Sequence, residues 1–262
     1  MIIDAHTHID RANHVDWTPQ QLISSMDEAG ISHSIVISNH LTEAPLDKVL
    51  YTVKGYDRFR VVGNVEFNHL DDEQIDKLIG HLERKEIVGV KLFPGYEDYF
   101  PYDKKLDRLF AYMEKNNHPL LIHTGVLMVG YKGYLDQSHP LHVNRIGAKF
   151  PKLKIVIAHM GNPWLVDTVA VMWQNPRVYT DLSGFFVEFR ALDPREVKNF
   201  LRRMEEIHDL LGNFKRCLFG TDWPLYSQKE YLEVVEQIQL SDEEKELVFW
   251  KNANNVYNLG LK

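Results

Sequence analysis

Residues 1–30 read MIIDAHTHIDRANHVDWTPQQLISSMDEAG. The opening MIIDAHTH is a short, apolar-rich run of strand character, and TPQQLISSMDEAG (18–30) carries helix signals: Thr18 to cap, Pro19 in the first turn, Gly30 at the end. A residue and its second neighbour project from one side of a strand, so His6 and His8 can grip one object together. For an isolated His-x-His, two surface histidines at a polar strand end are the plainer reading, and the rest of the chain decides between them.

The same strand-then-helix unit recurs to the end of the chain. SHSIVIS (32–38) precedes a helix over Pro45 to Tyr56, RFRVVGNVEF (58–67) precedes DDEQIDKLIGHLERK, and IVGVKLF (87–93) precedes DKKLDRLFAYMEKN. HPLLIHTG (118–125) leads to HPLHVNRIGAKF, LKIVIAHM (153–160) to PWLVDTVAVMWQN, and RVYTDLSG (177–184) to DPREVKNFLRRMEEIHDLL. The last strand, KRCLFGTD (215–222), is followed by QKEYLEVVEQIQ and SDEEKELVFWKNANNVYNL. Eight such units in 262 residues predict an α/β chain folded as a (β/α)8 TIM barrel, a single domain over 1–262 with an extra C-terminal helix. Chemistry in such a barrel sits at the C-terminal ends of the strands and in the loops after them. The longest of these loops, IDRANHVDW, PGYEDYFPY, VLMVGYKGYLDQS and FFVEFRAL, are rich in aromatic residues.

Composition narrows the partners. A formal charge of −7 with no basic stripe argues against nucleic acid, and runs such as LLIH and IVIA are far too short to span a bilayer. MIIDAH lacks the charged start and long apolar core of a signal peptide, so a cytoplasmic protein with a small-molecule substrate is expected. Self-association into a homo-oligomer is left open. The single cysteine, Cys217, permits neither an internal disulfide nor a thiolate metal cluster and reads as a core thiol.

Several metal-competent residues fall at strand C-terminal ends: His6 and His8 after the first, Lys91 near the end of the fourth, His123 after the fifth, His159 after the sixth, Asp222 after the eighth. Each alone has an ordinary structural explanation. A closed barrel brings all of these ends around one axis, and that convergence outweighs the separate explanations. The other histidines read as structural or solvated, except His14 and His40, which lie in active-face loops as candidates for substrate contact.

His-x-His after the first strand, His after the fifth and sixth, and Asp after the eighth resemble the amidohydrolase superfamily of metal-dependent barrel enzymes. The motifs DAHTH, GVKLFPGY, LIHTG, IAHMGN, GTDWP and NANNVYNL span the chain and look like the amidohydrolase-2 branch, which includes aminocarboxymuconate-semialdehyde decarboxylase and pyrone-dicarboxylate lactonase relatives. The resemblance implies a metal site formed by His6, His8, His123 and Asp222 holding one divalent ion. Imidazoles with a carboxylate suit Zn2+, which lowers the pKa of bound water from ~15.7 to ~7. His159 and Asp222 are then the catalytic pair, His159 hydrogen-bonding the water or the developing oxyanion and Asp222 passing the proton on.

In IVGVKLF, Val88, Val90 and Leu92 share a face suited to packing under the helices, leaving Lys91 to the barrel interior. Three roles stand for it: an ammonium near the metal or a substrate carboxylate, a carboxylated bridge in a two-metal site such as some superfamily members have, or a salt bridge to Glu66. Asp4 shares the parity of His6 and His8 and is expected one layer deeper, orienting a ligand imidazole or hydrogen-bonding structurally. Arg11, Lys132, Arg145 and Arg190 are candidate cations for a substrate carboxylate. Two reactions and one non-enzymatic role remain: hydrolysis of an amide, ester or lactone of a small cyclic or carboxylated substrate; non-oxidative decarboxylation by a carboxy-lyase of an aromatic or unsaturated acid; or metal or ligand binding without turnover.

Overall fold

The computed structural model describes residues 1–9, 11–128 and 130–262. The loops IDRANHVDW and VLMVGYKGYLDQS each include one position, 10 and 129, outside the described residues. Eight parallel strands follow one another around the sheet in chain order. They are β1 (Ile3–Thr7), β2 (His33–Ile37), β3 (Phe59–Asn64), β4 (Gly89–Leu92), β5 (Leu120–Ile122), β6 (Ile155–Ile157), β7 (Val178–Asp181) and β8 (Cys217–Leu218). The circle closes between β1 and the segment after β8, where Ala5 N–H donates to the Phe219 carbonyl at 2.9 Å, Asp222 N–H to His6 at 2.8 Å and His8 N–H to Trp223 at 2.7 Å.

Two apolar shells follow from the alternation of each strand. Val90, Leu92, Ile122, Ile155 and Ile157 face the helices, while Ile35, Ile37, Val62, Leu121 and Val156 fill the barrel. The helices that follow the strands include α1 (Pro19–Ala29), α2 (Leu46–Thr52), α3 (Asp72–Glu83), α4 (Asp107–Lys115), α5 (Leu141–Lys149), α6 (Leu165–Gln174), α7 (Pro194–Leu211) and α8 (Gln228–Val235). α1 begins as its sequence predicts, with Thr18 in a capping box with Gln21, Pro19 in the first turn, and Gly30 left-handed at the end. The expected terminal helix is broken into α9 (Asp242–Glu246), a π-helical turn over Leu247–Lys251, and α10 (Asn252–Val256). Ala253, Val256 and Tyr257 pack on the barrel-filling shell, and buried Lys154 donates from Nζ to the carbonyls of Asn255 (2.7 Å) and Val256 (3.2 Å), capping the end of α10. The opposite mouth of the barrel is thereby left for the site. Among the described residues no helix is long and apolar enough to cross a membrane.

β1 departs from the expected parity. Its pairing with β2 is irregular between Asp4 and Thr7, and Ile3 and Ala5 are the residues that join the barrel-filling shell. Asp4 is turned away from the interior, accepting hydrogen bonds from Gln228 Nε2 of α8 at 2.7 Å and Thr221 Oγ1 at 2.6 Å.

Candidate active site

The C-terminal ends of β1, β4, β5, β6 and β8 bring His6, His8, Lys91, His123, His159 and Asp222 into one cavity of about 680 Å³. Their geometry begins with Asp222, whose Oδ1 lies 3.3 Å from His8 Nε2 and 3.5 Å from His6 Nε2, and whose Oδ2 lies 4.0 Å from His159 Nδ1. One donor atom each from His6, His159 and Asp222 falls within 4.8 Å of the others. The rings adjoin in sequence around the cavity floor, with centroids 5.4 Å apart for His6 and His8, 4.8 Å for His6 and His159, and 5.2 Å for His123 and His159. His159 and Asp222 both sit at positive φ, 58° and 64°, in the left-handed region where a side chain carries strain.

The hydrogen bonds behind these rings set their tautomers. His6 Nδ1 donates to Asp181 Oδ2 at 2.9 Å and His8 Nδ1 donates to the Ile37 carbonyl at 3.1 Å, which turns both Nε2 lone pairs toward Asp222. Asp181 Oδ1 accepts from His159 N–H at 2.8 Å, Ser183 N–H at 3.2 Å and Ser183 Oγ at 2.5 Å. With its own proton given to Asp181, Ser183 Oγ accepts from His159 Nδ1 at 2.9 Å. Asp181 and Ser183 are therefore the organising pair of the site, and neither was singled out in the sequence. Gly184 follows them at φ +71°, where an added Cβ would come 2.5 Å from His159 Nδ1.

Burial dominates the electrostatics. It pushes the His159 imidazole down to about 4, and pushes His123 well below its ordinary value with help from His159 and Lys91. Burial acts to raise Asp181 and Asp222, but His6 and His159, together with the hydrogen bonds each carboxylate accepts, outweigh it and hold both below the usual carboxylate range. Lys91, 1% exposed, is pushed down to about 8 by burial against the pull of Asp181 and Asp222, and its Nζ lies 5.2 Å from the Phe93 ring centre. Those two aspartates, not Glu66, are the acids that act on it.

The remaining candidates divide. Arg11 lines the cavity and pairs with Glu43 at 3.5 Å. Lys132, Arg145 and Arg190 do not line it: Arg145 stacks on Tyr102, 4.8 Å from its ring centre, and Arg190 pairs with Glu196 at 2.8 Å. Asp4 touches the His6 backbone N–H at 3.1 Å rather than a ring, and burial raises it to about 6 despite four donors. His14 and His40 are also off the cavity wall, His40 held between Asn64 (2.7 Å) and Glu97 (3.5 Å). Cys217 is fully buried.

The donor set fits a divalent cation. His6 and His8 have their Nδ1 atoms engaged and their Nε2 atoms gathered on a carboxylate, and His123 Nε2 is buried with no hydrogen-bond partner among the described residues. A buried acceptor left bare costs ~1–3 kcal/mol, which a ligated metal would relieve.

Known structures share this architecture. A probable 2-pyrone-4,6-dicarboxylic acid hydrolase from Acinetobacter baumannii, crystallised with citric acid, is 19% identical with a TM-score of 0.73, covering 98% of this chain and 99% of its own. An amidohydrolase from Burkholderia multivorans with bound zinc is 20% identical with a TM-score of 0.76 over 98% and 99%. A dihydroxybenzoic acid decarboxylase from Polaromonas with bound manganese and 2-nitroresorcinol is 18% identical with a TM-score of 0.72 over 100% and 98%. At these identities the likeness is one of fold. Among curated proteins no sequence match was found. The Amidohydro_2 (amidohydrolase) family model matches residues 3–259, nearly the whole chain, and the protein thus belongs to the amidohydrolase family in its amidohydrolase-2 branch.

Proposed function

We propose that the protein is a metal-dependent hydrolase that adds water across an amide, ester or lactone carbonyl of a small cyclic or carboxylated substrate. The observation that carries this reading is Asp222, a buried carboxylate kept ionised beside the Nε2 atoms of His6 and His8. His6, His8, His123 and Asp222 would hold one divalent ion, with zinc suited to the donors; the group whose donor atoms already lie within 4.8 Å of one another is His6, His159 and Asp222, so His159 is a competing ligand to His8 and His123. Bound there, the ion supplies Lewis acidity toward a carbonyl and brings the ionisation of water near neutrality.

The chain's own groups handle the protons. His159, neutral at pH 7 with Nδ1–H committed to Ser183, presents Nε2 as an acceptor that orients the attacking water. The carbonyl carbon gains a bond to the water oxygen and loses its bond to the leaving nitrogen or oxygen. Asp222 Oδ2 takes the water's proton and returns it to that leaving atom.

One observation favours a second reaction. The Lys91 ammonium is buried on the cavity wall with no ion pair among the described residues, as a cation awaiting a substrate carboxylate would be. In that reaction the bond to the carboxylate carbon breaks, CO2 leaves, and a proton replaces it on the substrate carbon. A panel of lactones, aryl esters, amides and carboxylated aromatics, assayed with metal-loaded and chelated protein, separates the two. A carboxylate gained without CO2 supports hydrolysis and CO2 release supports the lyase; no metal-dependent turnover on the panel leaves a binding barrel.

A further inference from the structure

The cavity is lined by aromatic as well as polar side chains, and one charge on its wall is not used by the proposed chemistry. Glu188 lies in the loop after β7, half-buried and lining the cavity. The backbone holds it in place from both sides. Tyr226 O–H donates to the Phe186 carbonyl at 2.7 Å, and Phe189 N–H donates to the Leu225 carbonyl at 2.8 Å. Among the described residues nothing donates a hydrogen bond to its carboxylate and no cation pairs with it. It is near enough to Asp222, Tyr96 and Tyr226 for its charge to act on them. A half-buried carboxylate without a partner carries a desolvation cost that a bound donor would offset.

The cations are distributed the other way. Among the described residues, Lys91 and Arg11 are the only lysine and arginine on the cavity wall. Lys91 is down beside Phe93 with the aspartates, and Arg11 is at an exposed position already facing Glu43. A ligand in the cavity therefore meets both a buried cation, Lys91, and an unpaired carboxylate, Glu188, on a wall that also carries Tyr96, Tyr131 and Tyr226. Tyrosine faces beside a carboxylate form a favourable enclosure for an ammonium or amidinium group.

We propose that Glu188 is a specificity-determining residue that selects substrates carrying a cationic nitrogen group in addition to the reacting carbonyl or carboxylate, and that it rejects a second anionic group. This rests on reading the cavity as the active site but not on which reaction occurs in it.

Binding tests it apart from turnover. Three probes share a benzoate end for Lys91 and differ at the other end: 4-(aminomethyl)benzoate, 4-methylbenzoate and terephthalate. Metal-loaded protein titrated by calorimetry at pH 7 should bind the ammonium probe about tenfold more tightly than the methyl probe, and terephthalate more weakly than either. Glu188→Gln, which removes the charge and breaks no hydrogen bond, should bring the ammonium and methyl probes to within about twofold, while the affinity for 4-methylbenzoate stays put. Terephthalate binding most tightly would mean that Arg11 leaves Glu43 to take the second carboxylate, and the proposal would be wrong. An ammonium preference that survives Glu188→Gln would overturn it equally. If the ranking holds while no hydrolytic or decarboxylating turnover is found, the reaction assignment fails and Glu188 keeps its role; turnover without the ranking has the reverse meaning.

Discussion

His6 Nδ1 and Asp181 Oδ2 lie 2.9 Å apart, 175 residues distant in sequence and both buried. The contact fixes the His6 tautomer, presents Nε2 to Asp222, and ties the first strand of the barrel to the seventh. One carboxylate thereby serves two rings, because Asp181 also takes the His159 backbone N–H and the Ser183 hydroxyl on which His159 rests.

Asp181→Asn should lower metal affinity about 10–100-fold, the usual cost of losing a carboxylate behind a ligating histidine. The amide can offer its oxygen to His6 but places a donor where Ser183 or the His159 backbone now donates. Metal content after dialysis against graded chelator measures it. Unchanged affinity with an intact fold would show that His6 does not hold the ion.

His159→Ala should cut kcat by about 10²–10⁴-fold while metal content stays close to wild type, if the residue orients water rather than ligating. The geometry makes this a real contest, since a donor atom of His159 lies within 4.8 Å of those of His6 and Asp222. Metal lost together with activity would place His159 among the ligands.

Lys91 supplies a pH dependence. With its ammonium pushed down to about 8, the cation is present at pH 7 and discharged above pH 8, so the affinity for 4-methylbenzoate should fall as pH rises from 7 to 9. Lys91→Met should bind that probe about tenfold more weakly at pH 7 and show little further fall over the interval. A wild-type profile that stays flat from pH 7 to 9 would mean that Lys91 does not contact the carboxylate.

The barrel and the strand-end residues were legible because each depends on local pattern. An apolar run ending in His or Asp is visible within ten residues, and closure of the sheet does the rest. Asp181 was open to the same logic, since it ends the strand in RVYTDLSG as Asp222 ends KRCLFGTD, yet its role appears only with a partner on β1. Asp4 takes the second of the two roles its position allows, structural hydrogen bonding, while its expected place in the layer under His6 is lost: strict alternation puts it there, and the irregular pairing within β1 cancels that parity. The loop cations Lys132, Arg145 and Arg190 could not be sorted from Arg11, because which way a surface side chain turns is set by partners such as Tyr102 and Glu196 that share no period with it.

Glu244 gives a stability test away from the site. Its carboxylate accepts from Phe214 N–H at 2.7 Å, Ser241 N–H at 3.0 Å, Ser241 Oγ at 2.6 Å and His208 Nε2 at 2.9 Å, joining α9 to the end of α7 and the approach to β8. Burial acts to raise its pKa, but these four donors outweigh that and bring it down to about 2 from an ordinary 4.5. A carboxyl depressed in the folded state leaves the unfolded chain holding more protons between those two values. Its contribution is therefore full above about pH 4.5 and fades as pH falls toward 2. Glu244→Gln should lower the unfolding free energy by roughly 1–3 kcal/mol at pH 7, and the gap from wild type should narrow markedly by about pH 3. Urea midpoints of both proteins at the two pH values measure it. A gap of the same size at both would mean that the loss comes from misplaced hydrogen bonds and not from the charge.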